Sequence, residues 1–506
     1  MSSLQSQSDG SRISEAEERF ERLRRTAGWF GAPLVLLSLW LLPIPGLSPE
    51  AHRLFAIVGM AMTLWVTEAI PLAATALLAP ALCVLAGLGP ARDVFKPFAD
   101  PIIFLFIGSY MIGEAMLKHG LNRRFAFAIL GLPWVGESPL RLYAAFGGIT
   151  AAISMWVSNM ATTAMMLPIG LSILSELGAR QGVANPRSTP FAAGMMLMTA
   201  FAASVGGVAT PVGTPPNLIG IAAVERILGI KVTFFEWMHV GLPVALVLTG
   251  FLVWRFARTC PAPALSLAGS REWIRGEAEK LGPWSREQRN VIVVFACAVA
   301  LWVLPGFVAA FAPGGSSSPV YAWFNRRLPE SIVALLAASA LFILPADSKR
   351  RTFTLDWRDA AGIEWGTILL FAGGMALGEL MFSTGLAKWI GGGLAGVFQA
   401  HSVFGLTLLF TAVGILVSEA TTNTASATMI VPIAIAVAQE SGVKPLKPAL
   451  AACIACSMGF LLPVSTGPNA LAYGTGCIPL RTMMRHGLVL DAVSLVVIVA
   501  AVMTLA

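Results

Sequence analysis

Charge is what this chain has least of. Of its 506 residues only 12% are Asp, Glu, Lys or Arg, about half the share in a soluble globular protein. Five histidines, His52, His119, His239, His401 and His486, stand apart with no metal-ligand spacing. Six cysteines are scattered, mostly through apolar stretches, so a disulfide framework is excluded. Cys453-x-x-Cys456 has no second cluster and no nearby His, and reads as a pair of small packed hydrophobes. No G-x-x-x-x-G-K-[ST] occurs, so nothing points to direct use of ATP. Short alternating segments are absent, which removes a transmembrane barrel. Serines are present, but no His or acid accompanies them at matching depth, which argues against an intramembrane enzyme.

What the chain has is apolar length. Hydrophobic residues make up 56% of it and its mean hydropathy is +0.75. Apolar runs recur from residue 29 to the C-terminus, many near the ~20 residues that span a bilayer. These runs imply an all-α polytopic membrane protein. The net charge of +7 sits between them, where cytoplasmic loops carry it, and does not signal nucleic acid.

The expected organisation has five parts. Residues 1–28 form a polar cytoplasmic helix, with Arg19, Arg22, Arg24 and Arg25 among Glu15, Glu17, Glu18 and Glu21; they lack the pattern of a secretory signal. Residues 29–50 add a first span, 51–257 a first repeat, 258–289 a basic cytoplasmic linker and 290–506 a second repeat. The repeat is visible directly. "LFIGSYMIGEAMLKHGL" (105–121) aligns with "LFAGGMALGELMFSTGL" (370–386), with eight of 17 positions identical, Glu114 and Glu379 among them. "TEAIPL" (67–72) faces "PESIVA" (329–334), and "TPVGTPPN" (210–217) faces "LPVSTGPN" (462–469). Duplicated halves with matched Gly/Pro interruptions are the pattern of a secondary transporter, inverted if each half has an odd number of spans. The two Gly-rich Glu blocks read as re-entrant hairpins, a geometry allowed only where protein covers the backbone.

The most polar matched pair lies deep in apolar sequence: "SMWVSNMATTAMMLP" (154–168) and "SEATTNTASATMIVP" (418–432). Ser154 and Ser158 fall one helical turn apart, on one face. With Asn159 and Thr162 they offer uncharged oxygens, as do Ser418, Thr422, Asn423, Thr424 and Ser426. Such oxygens suit a small hard cation or the hydrogen-bonding of a carboxylate. These residues also make good N-caps. Helices starting at Asn159 and Asn423 would aim free N–H groups and about half a positive charge each at an anion. The segments Gly213-Thr214-Pro215-Pro216-Asn217 and Ser465-Thr466-Gly467-Pro468-Asn469 cannot continue a helix, and unwinding frees carbonyl oxygens. Glu68, Glu114, Glu330, Glu379 and Glu419 lie in or beside apolar runs. Their pairing favours structural links over proton relay.

On the two Ser-Asn blocks, the two Thr-x-Pro-Asn blocks and "WVTEAIPL" (65–72), nearly the whole chain resembles the divalent-anion/sodium symporter family. Its members carry succinate, malate, fumarate, citrate and, in some cases, sulfate. The resemblance implies about eleven transmembrane helices plus two re-entrant hairpins, a homodimer, and a mobile transport domain moving against a scaffold like an elevator. It implies two or more coupling Na⁺. One Na⁺ site would use Ser154, Ser158, Asn159 and Gly213, the other Ser418, Thr421, Asn423 and Ser465. Substrate would meet Ser158, Asn159, Thr214, Thr422, Asn423, Thr424 and Thr466. Three positions depart from the family pattern. Met160 replaces a threonine, Thr422 a serine and Gly467 a proline. The lost hydroxyl at Met160 removes a hydrogen bond worth about 1.5–3 kcal/mol to a charged partner. The expectation is Na⁺-coupled uptake of C4-dicarboxylates across the cytoplasmic membrane, with a Na⁺-independent exchanger, a sulfate carrier or an anion channel as alternatives.

Overall fold

The computed structural model describes residues 15–135, 138–181, 185–262, 270–312, 315–347, 351–398 and 402–506. Residues 1–14 of the polar N-terminal stretch, 263–269 of the linker, and His401 lie outside the described residues. Helices account for nearly all of the rest. One two-stranded antiparallel ribbon, Pro345–Asp347 with Thr352–Phe353, interrupts them. Eight described helices are long and apolar enough to cross a membrane.

The helix Glu15–Leu41 carries the charged stretch into the first apolar run without a break and packs along Pro49–Thr67. Glu68 stands next in the left-handed region at φ 47°, a conformation costly for a residue with a Cβ. Arg24 holds its carboxylate at 3.2 Å.

From there the order of elements is written twice. Pro49–Thr67, Leu72–Leu85, Pro101–Lys118, Leu121–Leu130, Pro139–Ser154, Asn159–Gln181, Pro190–Gly207, Pro215–Leu228 and Phe234–Thr259 form the first copy. Arg286–Phe311, Glu330–Ile343, Trp365–Ser383, Leu386–Phe398, Val403–Ala420, Asn423–Glu440, Leu446–Ala455, Gly467–Tyr473 and Leu480–Leu505 form the second. The turns match in detail. Gly120 (φ 64°) and Gly385 (φ 82°) each join the third and fourth helices of a copy, in a conformation glycine adopts without steric cost.

The copies interlock reciprocally. Helix Pro101–Lys118 packs on Glu330–Ile343, and Trp365–Ser383 packs on Leu72–Leu85. At the first crossing a Cβ on Gly108 would stand 2.6 Å from the Ala334 carbonyl carbon. At the second, a Cβ on Gly373 would collide with the Ala76 carbonyl. Close backbone approach through small residues is how helices associate where no hydrophobic force distinguishes neighbour from lipid. Gly241 meets the Val208 carbonyl and Gly487 the Phe460 carbonyl in a second matched pair of contacts.

The Glu-containing blocks are not hairpins. Most of each is one uninterrupted helix, Pro101–Lys118 or Trp365–Ser383, which ends at the Gly120 or Gly385 turn. Within these helices Gly108 and Gly373 serve interhelical packing, so punctuation that reads as chain reversal in sequence is there close approach in three dimensions. The reversals lie at the Ser-Asn blocks. Val403–Ala420 and Asn423–Glu440, 18 residues each, both pack on Leu446–Ala455, which has only 10. Ten helical residues span about 15 Å, too short to be flanked by two such arms laid end to end. The arms lie side by side, and residues 421–422 turn the chain between them.

The interlock gives a direct test. Gly108→Val and Gly373→Val should each cost about 1–3 kcal/mol from overpacking, read as a fall in the thermal midpoint of the detergent-purified protein. Gly148→Ala, where a Cβ meets nothing within 4 Å, should leave that midpoint unchanged.

Candidate functional site

Each Ser-Asn turn packs against an unwound loop of its own copy. In the first, the turn is 155–158 and the loop 208–214; in the second, 421–422 and 456–466. Both turns sit between apolar helices because Ser and Thr cap the helix on their C-terminal side. The Ser158 hydroxyl accepts from Ala161 N (3.3 Å) and the Thr422 hydroxyl from Ala425 N (3.3 Å). Thr466 caps the helix after the second loop, accepting from Asn469 N at 3.2 Å. Thr214 holds the equivalent place in the first, at the N-terminus of Pro215–Leu228. Ser158, Thr214, Thr422 and Thr466 therefore stand at four helix N-termini. There, free N–H groups and the helix dipole favour negative charge by about 0.3–1 kcal/mol each at the surface, and more when buried.

Behind each turn lies a pocket of oxygens. Ser154, fully buried, donates to Asn159 Oδ1 at 2.7 Å, and Asn159 Nδ2 donates to Thr214 Oγ1 at 3.4 Å. Gly207 is pressed on Asn159 Oδ1, and a Cβ on Gly213 would stand 2.5 Å from the Gly207 oxygen and 2.9 Å from the Met155 oxygen. No larger residue fits either place. In the second copy Ser418 donates to Asn423 Oδ1 (2.9 Å) and to the Cys456 carbonyl (2.8 Å). A Cβ on Gly459 would crowd Ser418 Oγ at 3.1 Å. Thr421 pairs with Ser426 at 2.7 Å. Ser465 is drawn to Glu419, donating to its carboxylate and, at 3.2 Å, to its carbonyl. Thr424 is half-buried on the next helix, and Thr162 is fully buried with a hydroxyl that has no partner.

The two clusters meet. Helix Asn159–Gln181 packs on Gly467–Tyr473, and Asn423–Glu440 packs on Pro215–Leu228. The loop residues Ser465–Gly467 stand between the turns, bonding Glu419 on one side and touching Met160 on the other. A Cβ on Gly467 would lie 2.5 Å from Met160 Cε. Two of the three departures from the family pattern are therefore one contact: the smaller residue at 467 makes room for the larger one at 160.

Two kinds of residue named in the sequence, Asn217 with Asn469 and Glu419, were not assigned to the site by sequence reasoning. Asn217 Nδ2 donates to the Gly207 (2.9 Å) and Thr210 (2.7 Å) carbonyls, and Asn469 Nδ2 to those of Gly459 (3.0 Å) and Leu462 (3.0 Å). These matched side chains clamp both unwound loops. The signal was present, since a Pro-Asn pair closes both loop motifs. Glu419 is the other. Its carboxylate accepts from Phe460 N (2.6 Å) and Leu461 N (2.8 Å), tying the second loop to the second turn. The aligned residue in the first copy is Met155, so the duplication hid this role.

The remaining polar residues sort as structure. Glu379 pairs with Arg226, which also holds Asp100, and Glu330 pairs with Lys231 at 3.7 Å. Cys453 is buried and donates to the Pro216 carbonyl at 2.8 Å, a packing role. Among the described residues no group of three His, Cys, Asp or Glu could hold a metal ion.

A profile described as the sodium:sulfate symporter transmembrane region matches residues 25–505. The sodium-dependent dicarboxylate transporter SdcS of Staphylococcus saprophyticus is 33% identical over 478 residues, 93% of this chain and 89% of that protein. Its counterpart in Staphylococcus aureus strain bovine RF122 is 32% identical over 479 residues, with the same coverage of 93% and 89%. Among solved structures, the YdaH transporter of Alcanivorax borkumensis superposes with a TM-score of 0.58 at 15% identity, over 95% of this chain and 97% of that one. This last likeness is one of fold alone.

The Met160–Gly467 contact predicts coupling. Gly467→Pro should weaken substrate binding by displacing the Met160 side chain, and Met160→Thr combined with it should recover most of the loss. The coupling expected for residues in contact is about 0.5–3 kcal/mol, measured as a double-mutant cycle on ligand-induced thermal shift.

Proposed function

The chain belongs to the sodium:sulfate symporter family, and from that premise we propose that it drives Na⁺-coupled uptake of di- and tricarboxylates across the cytoplasmic membrane. C4-dicarboxylates such as succinate, malate and fumarate are the substrates in this reading. The protein is a transporter and not an enzyme. One observation carries the proposal: the oxygens of both Ser-Asn turns and both proline loops gather at helix N-termini with no Arg or Lys among them.

Charge arithmetic explains why such a site needs sodium. Helices Asn159–Gln181, Pro215–Leu228 and Asn423–Glu440 each offer about half an elementary charge at their N-termini, and the seven-residue Gly467–Tyr473 offers less. Together they fall short of a dianion's two negative charges, and Glu419 lies beside the second turn. In the proposed mechanism Na⁺ held by Ser154, Ser158, Asn159 and Gly213, and by Ser418, Thr421, Asn423 and Ser465, makes up the deficit. The substrate carboxylates then meet Ser158, Asn159, Thr214, Thr422, Asn423, Thr424 and Thr466. Because the same Asn side chains serve ion and substrate, each binds better when the other is present, which is the coupling free energy that symport requires. Binding of the dianion without sodium is correspondingly weak, so a sodium gradient sets the direction of net movement.

The transport cycle in this reading is an elevator. The repeats 51–257 and 290–506 are inverted in the membrane, and the glycine-locked crossing of Gly108 and Gly373 belongs to the fixed scaffold. The hairpins and proline loops move as one body against it. The protein works as a homodimer with its N-terminus and the basic linker 258–289 in the cytoplasm, as the positive-inside bias of both favours.

In proteoliposomes, labelled succinate should accumulate with an inward Na⁺ gradient and not with an equal K⁺ gradient. Equal uptake under both would remove coupling and leave exchange. Asn159→Ala and Asn423→Ala should each abolish transport while eluting as the folded wild-type dimer on size exclusion. Transport at the wild-type rate in either would overturn the site.

A further inference from the structure

Helices Phe234–Thr259 and Leu480–Leu505, 26 residues each, pack side by side and turn most of their surface outward, toward lipid. Their register at one end is fixed by a small packed group. The His486 ring lies against Phe256, centroids 5.1 Å apart, and its Nε2 is 3.9 Å from Cys260 Sγ. Arg255 and Arg485 are the residues beside Phe256 and His486, so the same packing brings two guanidinium charges from different helices into each other's field. Arg258 follows Arg255 by three residues and Arg481 precedes Arg485 by four, each on the same helical face as its neighbour.

Nothing nearby neutralises this charge. Asp and Glu are absent from 237–271 and from 441–490, and the next acid, Asp491, is buried further along its helix. Among the described residues none of the four arginines forms an ion pair. Arg258 rests on the Trp254 ring at 5.3 Å. Arg255 Nε is buried without a partner, and its two terminal nitrogens, which are not buried, make no hydrogen bond either. Arg481 and Arg485 are exposed, in the first two turns of a helix whose N-cap, Pro479, bonds no N–H. Cations there add to the positive end of the helix dipole instead of offsetting it. The positive-inside bias accounts for cations in loops, but Arg255 and Arg485 stand within helices, four and five residues from the ends. That is about 6–8 Å of helix, the depth of the headgroup region. Apolar surface continues beneath them. Leu488, 61% exposed, follows Arg485 by three residues, and Trp254, 49% exposed, packs on Phe251 at 5.7 Å. The occupant that fits is negative at one end and apolar at the other.

We propose that the Arg255–Arg485 cluster binds the phosphodiester of an anionic phospholipid, with the acyl chains laid along Leu488 and Phe251. A guanidinium fork pairs two phosphate oxygens at once, and basic pockets between spans are where anionic headgroups dock. The phosphate supplies the negative charge that both helices lack. The site lies apart from the Ser-Asn turns and does not depend on what the protein carries. It is joined to them through packing, since Gly241 meets the Val208 carbonyl and Gly487 the Phe460 carbonyl. A lipid that holds the two helices together therefore steadies both unwound loops.

The test is the thermal midpoint of the full-length protein in a neutral detergent, titrated with phosphatidylglycerol, with phosphatidylcholine of the same acyl chains, and with inorganic phosphate. Phosphatidylglycerol alone should raise the midpoint of wild type. Its half-saturating concentration should increase about tenfold in Arg485→Gln and in Arg255→Gln, as for loss of one charge-assisted hydrogen bond. Arg485 is exposed, so its variant folds even where Arg255→Gln does not. Arg326→Gln combined with Arg327→Gln removes two exposed arginines from helix Pro319–Arg327 and should keep the wild-type value. Equal stabilisation by phosphatidylcholine, or by phosphate without a lipid, would overturn the proposal. So would a wild-type response in Arg485→Gln, or an equal loss in the Arg326/Arg327 double variant, which would mark the effect as one of net charge.

Discussion

Every break in a helix at membrane depth leaves backbone N–H and C=O groups without partners and without water, and a fold that contains such breaks must satisfy them from its own side chains. This protein does so twice with the same device. Asn217 and Asn469 each span their loop and donate to two carbonyls that the lost helix would have paired. The caps Ser158, Thr422 and Thr466 take up N–H groups at the helix starts. What this leaves is a small set of oxygens gathered behind the turns, Ser154 bonded to Asn159 and Ser418 to Asn423, and these are the candidate site. Remove the clamps and the loops have no reason to hold those oxygens in place.

The two halves are copies in order and crossing, yet they differ around the two Ser-Asn turns. Glu419 binds the second loop to the second turn, while the first copy places Met155 there and secures its loop by Thr210 donating to the Met155 carbonyl. Glu379 is neutralised by Arg226, while Glu114 faces an open cavity. Met160 reaches across to Gly467, so a departure in one half is matched by a departure in the other. Each difference places charge or bulk on one side of a nearly symmetric frame.

Much of this is legible in the amino-acid sequence. The duplication, the two Ser-Asn blocks, the two proline loops and the structural nature of Cys453 come from residue spacing, because those patterns are local and repeated. The place of the hairpins is not legible there. Glycines in 105–121 and 370–386 break hydropathy as a turn would, and sequence does not distinguish a glycine that bends the chain from one that admits a neighbouring backbone. Gly108 and Gly373 are of the second kind. The role of Glu419 is hidden for a related reason: its partners, Phe460, Leu461 and Ser465, lie about 40 residues away, beyond any local pattern.

By itself the sequence determined that this is a duplicated, helical membrane transporter whose uncharged oxygens are set at helix starts. Composition, period and capping chemistry act over a few residues and are read directly. Only the tertiary structure decided which glycines cross, which carboxylates are neutralised, and that Met160 and Gly467 share one space. These are contacts between segments hundreds of residues apart, and their geometry is set by how whole helices pack, which no short stretch of chain encodes alone.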